Sequence, residues 1–474
     1  MAYVDRVCIQ KTFEFQGLDR RAVVAEFRGG DITSDAGALL LREQEQASGV
    51  IRRFAACFED YRDSRWTEHS VPELVAQRIY GLVLGYEDLN DHDTLRSDPL
   101  LATLVGKVDP SGESRRLERD FGKPLAGKST LNRLELTPED GPLGHKKIRL
   151  RAEAVDRFFV DTFVEAHEEP PKRIVLDVDA TDDPLHGDQE GKFFHGYYRE
   201  YCYLPLYIFC GHWLLCARLR ESNIDASKGT VEELERIVEQ IRESWPEVEI
   251  IVRGDSGFCR DAIMNWCEDN SVKYLFGLAK NERLKAAITE ELEEAKTLFV
   301  ETEEPSRVFK DFMYSTLKSW RCERRVVGKA EHLRRGSNPR FVVTNISEDD
   351  TPARELYESL YCARGDMENR IKEQQLCLFA DRTSTHQLWS NQIRLWLSSV
   401  AYTLLQHLRE FGLKGTALEV AQCDTIRLKL LKIGALVRVT VRRVLILRSS
   451  SYPYAALFQQ VLANIRARAP CPSC

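Results

Sequence analysis

The stretch RIVLDVDATDD, residues 173–183, decides the fold. It opens with an apolar run rich in β-branched residues, which is typical of a buried strand. Two carboxylates, Asp177 and Asp179, lie near its end, and alternate residues of a strand face the same way. The end of this strand is therefore a candidate functional site, and either aspartate could serve it.

The pattern that follows this strand predicts the order βββαβαβ. Residues 201–210 and 212–220 are aromatic-rich apolar runs separated by a glycine, as in a strand meander. A helix with one apolar stripe starts at Thr230, and the strand EIIVRGD, residues 249–255, comes next. A further helix leads to a fifth strand, VKYLFGLA, residues 272–279. With helical crossovers to the last two strands, this is an RNase H-like order in an α/β protein.

About seventy residues then separate the fifth strand from the helix that closes the core, too many for a simple loop. They contain an acidic helix and several strand-like pieces, so we expect an inserted, mostly β subdomain. Its Trp320 could stack on a DNA base, although a core position is the commoner role of a tryptophan. The closing helix, residues 353–376, is expected to place Tyr361, Arg364 and Glu368 on one face, with Lys372 one turn further.

Three carboxylates on these elements suggest chemistry on nucleic acid. Asp179 and Asp255 end two strands, and Glu368 lies on the closing helix. Hard oxygen ligands of this kind hold divalent cations for phosphoryl transfer. We therefore predict that these three residues are both the catalytic residues and the metal ligands.

Composition is that of an ordinary globular protein. The 474 residues are 43% hydrophobic, enough for several domains. The first thirty residues are rich in charge, and no stretch of 18 uncharged apolar residues occurs, so we expect a cytoplasmic protein without a membrane segment. The cysteines lack ligand spacing apart from a lone Cys471/Cys474 pair, so no structural metal is predicted.

The net charge of −7 conceals a basic C-terminal region. Residues 425–474 contain nine Lys and Arg and no Asp or Glu. This region is a candidate phosphate-facing surface through Arg438, Arg442 and Arg443. A strand, VRVTVRRV, with a solvated basic face explains the same composition, and both interpretations remain open.

A competing motif is GKPLAGKS, residues 122–129, which matches the P-loop pattern with Lys128 as its lysine. A P-loop must follow a buried strand and open a helix. The residues before Gly122 are charged, and those after Ser129 are interrupted within about two turns. ATP hydrolysis is thus the weaker hypothesis, and a basic DNA-contacting turn at Lys128 the stronger.

The blocks LDVDAT, DPLHGDQEGKFFHGYYREYCYLPLYIF, IIVRGDSGF and Y-x-x-R-x-x-x-E together resemble the DDE transposases of bacterial insertion sequences, most closely the insertion-sequence thirteen-eighty group. The resemblance is strong from residue 173 to 408 and reaches the N-terminal region through LAGKSTLNRLE. One departure is Gln375, which stands where related transposases carry a lysine; Lys372 is the nearest base.

The resemblance implies roles for individual residues. Asp179 would bridge two Mg²⁺ ions, with Mn²⁺ as a substitute, and Asp255 and Glu368 would each complete one ion. Tyr361 and Arg364 would grip the DNA backbone. Asp177 and Arg253 are candidates for support of the metal ligands.

The resemblance also implies the activity, while the domains follow from the sequence pattern. We expect a DNA transposase that cuts at terminal inverted repeats and joins the freed ends to target DNA by a cut-and-paste route. It would act as a homodimer, associated with the bacterial nucleoid when bound to DNA. The alternatives are a P-loop NTPase and a catalytically inactive DNA-binding relative. The expected regions are a largely helical DNA-binding and dimerisation region (1–165), the two parts of the core (170–280 and 352–412), the β-rich insertion (281–351) and the basic C-terminal region (413–474).

Overall fold

The computed structural model describes residues 12–139, 144 and 146–468. Cys471 and Cys474 lie outside these residues. The chain divides into two compact units. Unit 1 comprises the described residues of Met1–Arg52, Asp63–Leu134 and His407–Cys474, and unit 2 comprises those of Arg53–Arg62 and Glu135–Gln406. The division into five regions stays a prediction.

The strands are numbered in chain order: β1 Phe13–Leu18, β2 Arg21–Ala25, β3 Asp31–Thr33, β4 Phe58–Asp60, β5 Ile148–Leu150, β6 Arg173–Ala180, β7 Asp183–Pro184, β8 Phe193–His195, β9 Glu200–Tyr203, β10 Leu206–Cys210, β11 Trp213–Arg218, β12 Glu249–Gly254, β13 Lys273–Leu278, β14 Ser306–Tyr314, β15 Arg324–Leu333, β16 Gly336–Ser337, β17 Arg340–Thr344, β18 Ala435–Val439 and β19 Val444–Arg448.

The α-helices are α1 Leu39–Ser48, α2 Val50–Ala55, α3 Val71–Val83, α4 His92–Leu95, α5 Pro99–Val105, α6 Lys128–Glu135, α7 Ala152–Glu165, α8 Thr230–Ser244, α9 Asp261–Asp269, α10 Glu282–Ala287, α11 Thr289–Thr302, α12 Ala353–Glu355, α13 Gly365–Leu378, α14 Leu388–His407, α15 Cys423–Ile426 and α16 Ala455–Arg468. Further helical turns are π-helical at Leu356–Tyr361, Leu408–Gly412 and Arg427–Leu431.

Unit 2 is a mixed α/β structure built on one large mixed sheet. Within the described residues this sheet has nine strands, in the order β11-β10-β6-β12-β13-β17-β15-β14, with β16 beside β15. The strands β6, β12 and β13 run parallel, and the other pairings are antiparallel. Four of the five strands predicted from the sequence are present as single strands of this sheet. The predicted strand at residues 201–210 is corrected, because it divides into β9, which belongs to a separate sheet with β7 and β8, and β10, which lies beside β6. Because apolar side chains line both faces of β6, β12 and β13, these strands form the centre of the core.

Residues 281–351 extend this sheet and do not form a sheet of their own. Strand β17 pairs with β13, placing Val343 opposite Phe276, and β15 and β14 continue outward from it. The expected acidic helix is α11, which packs through Ala295. The expectation of an inserted β subdomain is corrected to this extent, because backbone hydrogen bonds join its strands directly to the central strands.

Unit 1 combines helices with short strands. Helix α3 begins with a capping box formed by Ser70 and Glu73 and is almost wholly buried. Strand β3 pairs with β18, which in turn pairs with β19. The N-terminal region, residues 1–165, is thus rich in helices, as expected, but its described residues also contain the short strands β1 to β5. Among the helices that the structure describes, none is long and apolar enough to cross a membrane.

Candidate active site

Two of the three predicted carboxylates meet at one edge of the large sheet. Strands β6 and β12 are parallel neighbours, and their register places Gly254 beside Val178. Asp179 and Asp255 each follow this pair by one residue, so both lie at the carboxyl ends of adjacent strands. That edge is where open α/β sheets usually carry their functional groups.

Arg364 connects the first carboxylate to the third. One terminal nitrogen of its guanidinium lies 3.3 Å from Asp179 Oδ2, and the other lies 2.7 Å from Glu368 Oε1. The side chain of Asp179 is 16% exposed, and that of Glu368 is 44% exposed. Arg364 therefore neutralises part of the charge of a site that opens to solvent on the Glu368 side.

Electrostatics links all three carboxylates. Burial raises the pKa of Asp179 to about 6, opposed by the positive charge of Arg364 and reinforced by the negative charges of Asp255 and Glu368. The same neighbours raise the pKa of Arg364 against the effect of its burial. Residues that the sequence places 76 and 113 positions apart thus influence one ionisation, although only the contacts of Asp179 and Glu368 with Arg364 are direct.

Asp177, the rival to Asp179, has a different environment. It is 3% exposed, and its two oxygens accept hydrogen bonds from Arg253 Nε at 2.5 Å and from an Arg253 terminal nitrogen at 2.7 Å. The other terminal nitrogen of Arg253 donates a hydrogen bond to the backbone carbonyl of Leu360. Burial raises the pKa of Asp177, and Arg253 opposes that shift. Arg253 thus ties two central strands to the segment that precedes Arg364.

The closing helix is not the regular α-helix that the sequence predicts. After α12 it continues as the π-helical segment Leu356–Tyr361 and a 3₁₀ turn, Cys362–Arg364, before α13 begins at Gly365. Such interruptions are rare and occur frequently at functional sites. The i, i+4 pairing of Arg364 with Glu368 survives, but the position of Tyr361 is set by the π-helical turn.

Tyr361 reaches across to the fifth core strand. A Cβ added to Gly277 would lie 2.5 Å from the Tyr361 hydroxyl and 3.0 Å from the backbone nitrogen of Ser256. Burial raises the pKa of Tyr361, Arg364 opposes this, and Asp255 adds to it. Gly277 was not among the residues selected from the sequence. Its signal was a glycine inside the strand VKYLFGLA, which marks a close approach of another group.

Beyond Glu368, Lys372 is exposed, and Gln375 turns to a neighbouring carboxyl group. Gln375 Nε2 donates to Asp183 Oδ1 at 2.9 Å and to the Asp182 carbonyl at 3.1 Å. Asp183 is fully buried, and burial raises its pKa to about 8. The position at which related transposases carry a lysine thus contacts a carboxyl group whose pKa is raised above 7. Asp183 was not among the residues selected from the sequence.

Lys128 belongs to unit 1, and its surroundings do not fit a P-loop. The turn before Gly122 is a 3₁₀ segment, Glu118–Asp120, where a P-loop requires a strand. The backbone nitrogen of Lys128 donates to Asp93 Oδ1 at 3.0 Å, and its ammonium lies 3.4 Å from Asp93 Oδ2. An aspartate therefore occupies the position at which a phosphate would bind, and the NTPase hypothesis is not supported.

The basic residues of the C-terminal region are arranged as a hairpin. Arg438 is exposed on β18, while Arg442 and Arg443 lie in the turn between β18 and β19, closed by hydrogen bonds between Thr440 and Arg443. The expectation of one strand through VRVTVRRV is corrected, because residues 440–443 reverse the chain. All three arginines belong to unit 1.

In the part of the chain that the structure describes, no three His, Cys, Asp or Glu side chains are grouped closely enough to hold a metal ion together. Arg364 lies between two of the candidate ligands instead. The geometry is therefore that of a carboxylate site held by an arginine.

Comparison with known proteins identifies the family. The chain matches the profile of the family "Transposase DDE domain group 1" over residues 15–470, so it belongs to that family and is a DNA-cleaving transposase. DDE transposases generally use divalent metal ions. No curated protein matches the chain.

Among solved structures, one similar chain is that of the piggyBac transposase synaptic complex with hairpin DNA. The identity is 10%, the match covers 93% of this chain and 83% of that one, and the TM-score is 0.40.

Proposed function

We propose that this transposase acts on a bacterial insertion sequence, most closely of the thirteen-eighty group. It would hydrolyse phosphodiester bonds at the terminal inverted repeats and join the freed 3′-hydroxyls to target DNA by cut-and-paste. The observation that supports the proposal is the position of Asp179 and Asp255 at the ends of adjacent parallel strands, with Arg364 linking Asp179 to Glu368. No comparable observation favours nucleotide hydrolysis.

We infer that the catalytic core is RNase H-like. The support is the strand order β11-β10-β6-β12-β13, in which an antiparallel meander of three strands is followed by two strands parallel to the first. Helix α8 lies between β11 and β12 in the chain, and α9 lies between β12 and β13. In such a core the first carboxylate lies on β6 and the second directly after β12.

The donor chemistry of the site fits a hard divalent cation. Three carboxylates are opposed by one guanidinium. Burial is the main cause of the raised pKa of Asp179, and the negative charges of Asp255 and Glu368 add to it. Asp179, Asp255 and Glu368 would hold Mg²⁺, proposed as two ions with Mn²⁺ as a substitute. When bound, the ions would activate the attacking water or hydroxyl and neutralise charge on the phosphate.

Arg364 has to release at least one carboxylate before these side chains can act as ligands together. Its guanidinium would then be available for a DNA phosphate, which it can hold with two hydrogen bonds. The hydroxyl of Tyr361 and the exposed ammonium of Lys372 would contact the backbone on either side. Arg253, fixed by Asp177, keeps the closing helix against the two strands.

Contacts to the rest of the DNA are proposed for unit 1. Arg438, Arg442 and Arg443 are exposed cations and would meet phosphates of double-stranded DNA. Lys128 is half exposed and would add a weaker contact, since Asp93 already neutralises it. A homodimer in the DNA complex, with one protomer for each end, remains part of the proposal.

The test is a cleavage assay on the element's own ends, with and without Mg²⁺, combined with a binding assay. Asp179→Ala, Asp255→Ala and Glu368→Ala should each abolish cleavage and leave DNA binding nearly intact, because phosphate contacts lie elsewhere. Lys128→Ala is the control and should still cleave without nucleotide. Normal cleavage by Asp179→Ala would contradict the assignment. DNA binding by the wild type without metal-dependent nicking would indicate an inactive relative.

A further inference from the structure

A hairpin that follows the first candidate carboxylate in the chain exposes an unusual number of aromatic rings. It consists of β8, a turn at residues 196–199, and β9, and we call it the aromatic hairpin. Its exposed rings are Phe194 at 56%, Tyr197 at 83% and Tyr201 at 50%. Solvent exposure of large rings costs free energy, and a cluster of them marks a surface for another molecule.

The rings are held in an ordered arrangement. Phe194 and Tyr201 are direct cross-strand neighbours, with ring centroids 5.5 Å apart and edge to face. Tyr197 lies at the tip, in edge contact with Tyr198 at 5.0 Å. The turn is closed by Arg199 N, which donates to the His195 carbonyl at 2.8 Å, with Arg199 in the left-handed region at φ 60°. The outer faces of these rings are therefore presented on a defined backbone.

The hairpin is anchored beside the catalytic edge of the sheet. The Tyr198 hydroxyl contacts the carbonyl of Ala180, the residue after Asp179, at 3.4 Å. Burial raises the pKa of Tyr198, and the charges of Asp182 and Asp179 raise it further. A DNA strand whose phosphate lies at Asp179 would thus have its neighbouring nucleotides next to these rings.

The charge on the hairpin fits a phosphate backbone. Lys192 Nζ lies 4.7 Å from the centre of the Tyr201 ring, and Arg199 is exposed near the tip. The hairpin's carboxylate, Glu200, hydrogen-bonds to Asp182, and this bond raises the pKa of Glu200. The exposed surface thus combines aromatic faces with cations, the combination found in sites for unpaired nucleic-acid strands.

We propose that the aromatic hairpin binds unpaired DNA bases beside the scissile phosphate by stacking on Phe194 and Tyr197. In a duplex the faces of the bases are covered by their neighbours, so surface rings can stack only on bases that have left the duplex or end it. Trp320, the tryptophan considered from sequence, is instead in edge contact with Tyr314 and under the guanidinium of Arg324. This inference rests on the proposed position of the active site at Asp179.

The experiment compares two DNA probes with the full-length protein in the absence of metal. One probe is a duplex with an unpaired thymidine tail, and the other is the same duplex with blunt ends. Wild type should bind the tailed probe more tightly. Phe194→Ala and Tyr197→Ala should each lower affinity for it by about 5- to 150-fold, the equivalent of one lost stack, and leave binding to the blunt probe unchanged. Tyr197→Phe should keep the preference, because stacking needs the ring and not the hydroxyl.

Tyr61→Ala is the matched control, since Tyr61 is a 51% exposed ring of the same unit outside the hairpin. The inference would be overturned if wild type bound both probes equally. It would also be overturned if the two alanine variants bound the tailed probe as tightly as wild type does. A change in sedimentation of the DNA-free alanine variants with unaltered DNA binding would overturn it as well and would assign the surface to contact with a second copy. If wild type cleaves its DNA ends but binds the tailed and blunt probes equally, only this inference is contradicted. If wild type binds the tailed probe more tightly and the alanine variants lose this preference, but no cleavage occurs, only the proposed function is contradicted.

Discussion

Asp177 and Asp179 lie two residues apart on β6, but they meet different neighbours. Asp177 lies beside Arg253 in the register of the parallel strands and is sealed in a two-point ion pair. Asp179 lies beyond the end of that pairing and shares its surroundings with Asp255 and Arg364. The first environment suits a structural charge pair and the second a reactive carboxylate.

The Asp177–Arg253 pair leads to a prediction on stability. Asp177→Ala should lower the free energy of unfolding by about 3–5 kcal/mol, because it leaves a buried guanidinium without its partner. Urea unfolding of the purified variant measures this. The double variant Asp177→Leu/Arg253→Leu should lose less than the single variant, since no unpaired charge remains. A single variant as stable as wild type would show that the pair is not buried in solution.

Asp183 leads to a prediction on pH. Its pKa is raised to about 8 in the folded protein, against an ordinary value of 3.8. Between these values the unfolded chain releases a proton that the folded chain keeps, so this group's contribution to stability is full below about pH 4 and is lost as the pH rises to about 8.

Asp183→Asn removes that titration and keeps the hydrogen bond from Gln375. The variant should therefore gain stability relative to wild type as pH rises, by up to about 1.4 kcal/mol per pH unit, and the difference should level off above about pH 8. Thermal unfolding of both proteins at several pH values measures it. A difference that does not change with pH would mean that Asp183 is ionised in the folded state.

At the scale of elements, the closing helix is shaped by its contacts. A π-helical turn adds a residue to the backbone, which shifts the side chains after it relative to a regular helix. Here the turn ends at Tyr361, whose hydroxyl lies over Gly277 of β13. The absence of a side chain at Gly277 in β13 therefore leaves the space that the Tyr361 hydroxyl of the closing helix occupies.

Gly277→Ala should disturb the packing of Tyr361 against β13. The new Cβ would lie 2.5 Å from the Tyr361 hydroxyl and close to the backbone that follows Asp255, so cleavage should fall by about 10- to 100-fold through misplaced groups. Cleavage rate and DNA affinity, measured together, separate this from a loss of binding. Gly365→Ala is the control, because nothing lies within 4 Å of its added Cβ. Tyr361→Phe in the Gly277→Ala background should restore folding stability in part.

At the scale of the whole molecule, charge is divided unevenly. The chain is acidic overall at −7, while residues 425–474 carry nine positive charges. The β18–β19 hairpin presents Arg438, Arg442 and Arg443 to solvent, whereas Arg448 packs 4.0 Å from the centre of the Phe458 ring. The arginines of this region are therefore not equivalent.

Salt dependence of DNA binding tests this arrangement. Replacing Arg438, Arg442 and Arg443 with Gln should flatten the plot of log affinity against log salt by about 0.9 per lost phosphate contact, or about two to three in all. Arg466→Gln is the control, because its guanidinium already pairs with Glu43. An unchanged slope in a folded triple variant would remove the hairpin from the DNA-binding surface.

The sequence by itself determined the elements of the core and the residues of the candidate site. The strands β6, β10, β11, β12 and β13 follow from local runs of apolar residues, because a buried strand needs such a run whatever its neighbours are. The candidate carboxylates follow from their places at the ends of those strands and on one helix. Asp255 and Glu368 could therefore be selected without any knowledge of contacts, whereas Asp177 remained a rival to Asp179 until their neighbours were known.

Tertiary structure alone decided how these residues are partnered. The register between β6 and β12 places Arg253 beside Asp177. The Tyr361 hydroxyl lies against Gly277 at the end of the π-helical turn. The extension of the sheet through β17, β15 and β14 likewise depends on pairing between segments distant in the chain. Local periodicity carries no information on such pairings, because register, burial and hydrogen-bond partners arise only when separate segments pack together.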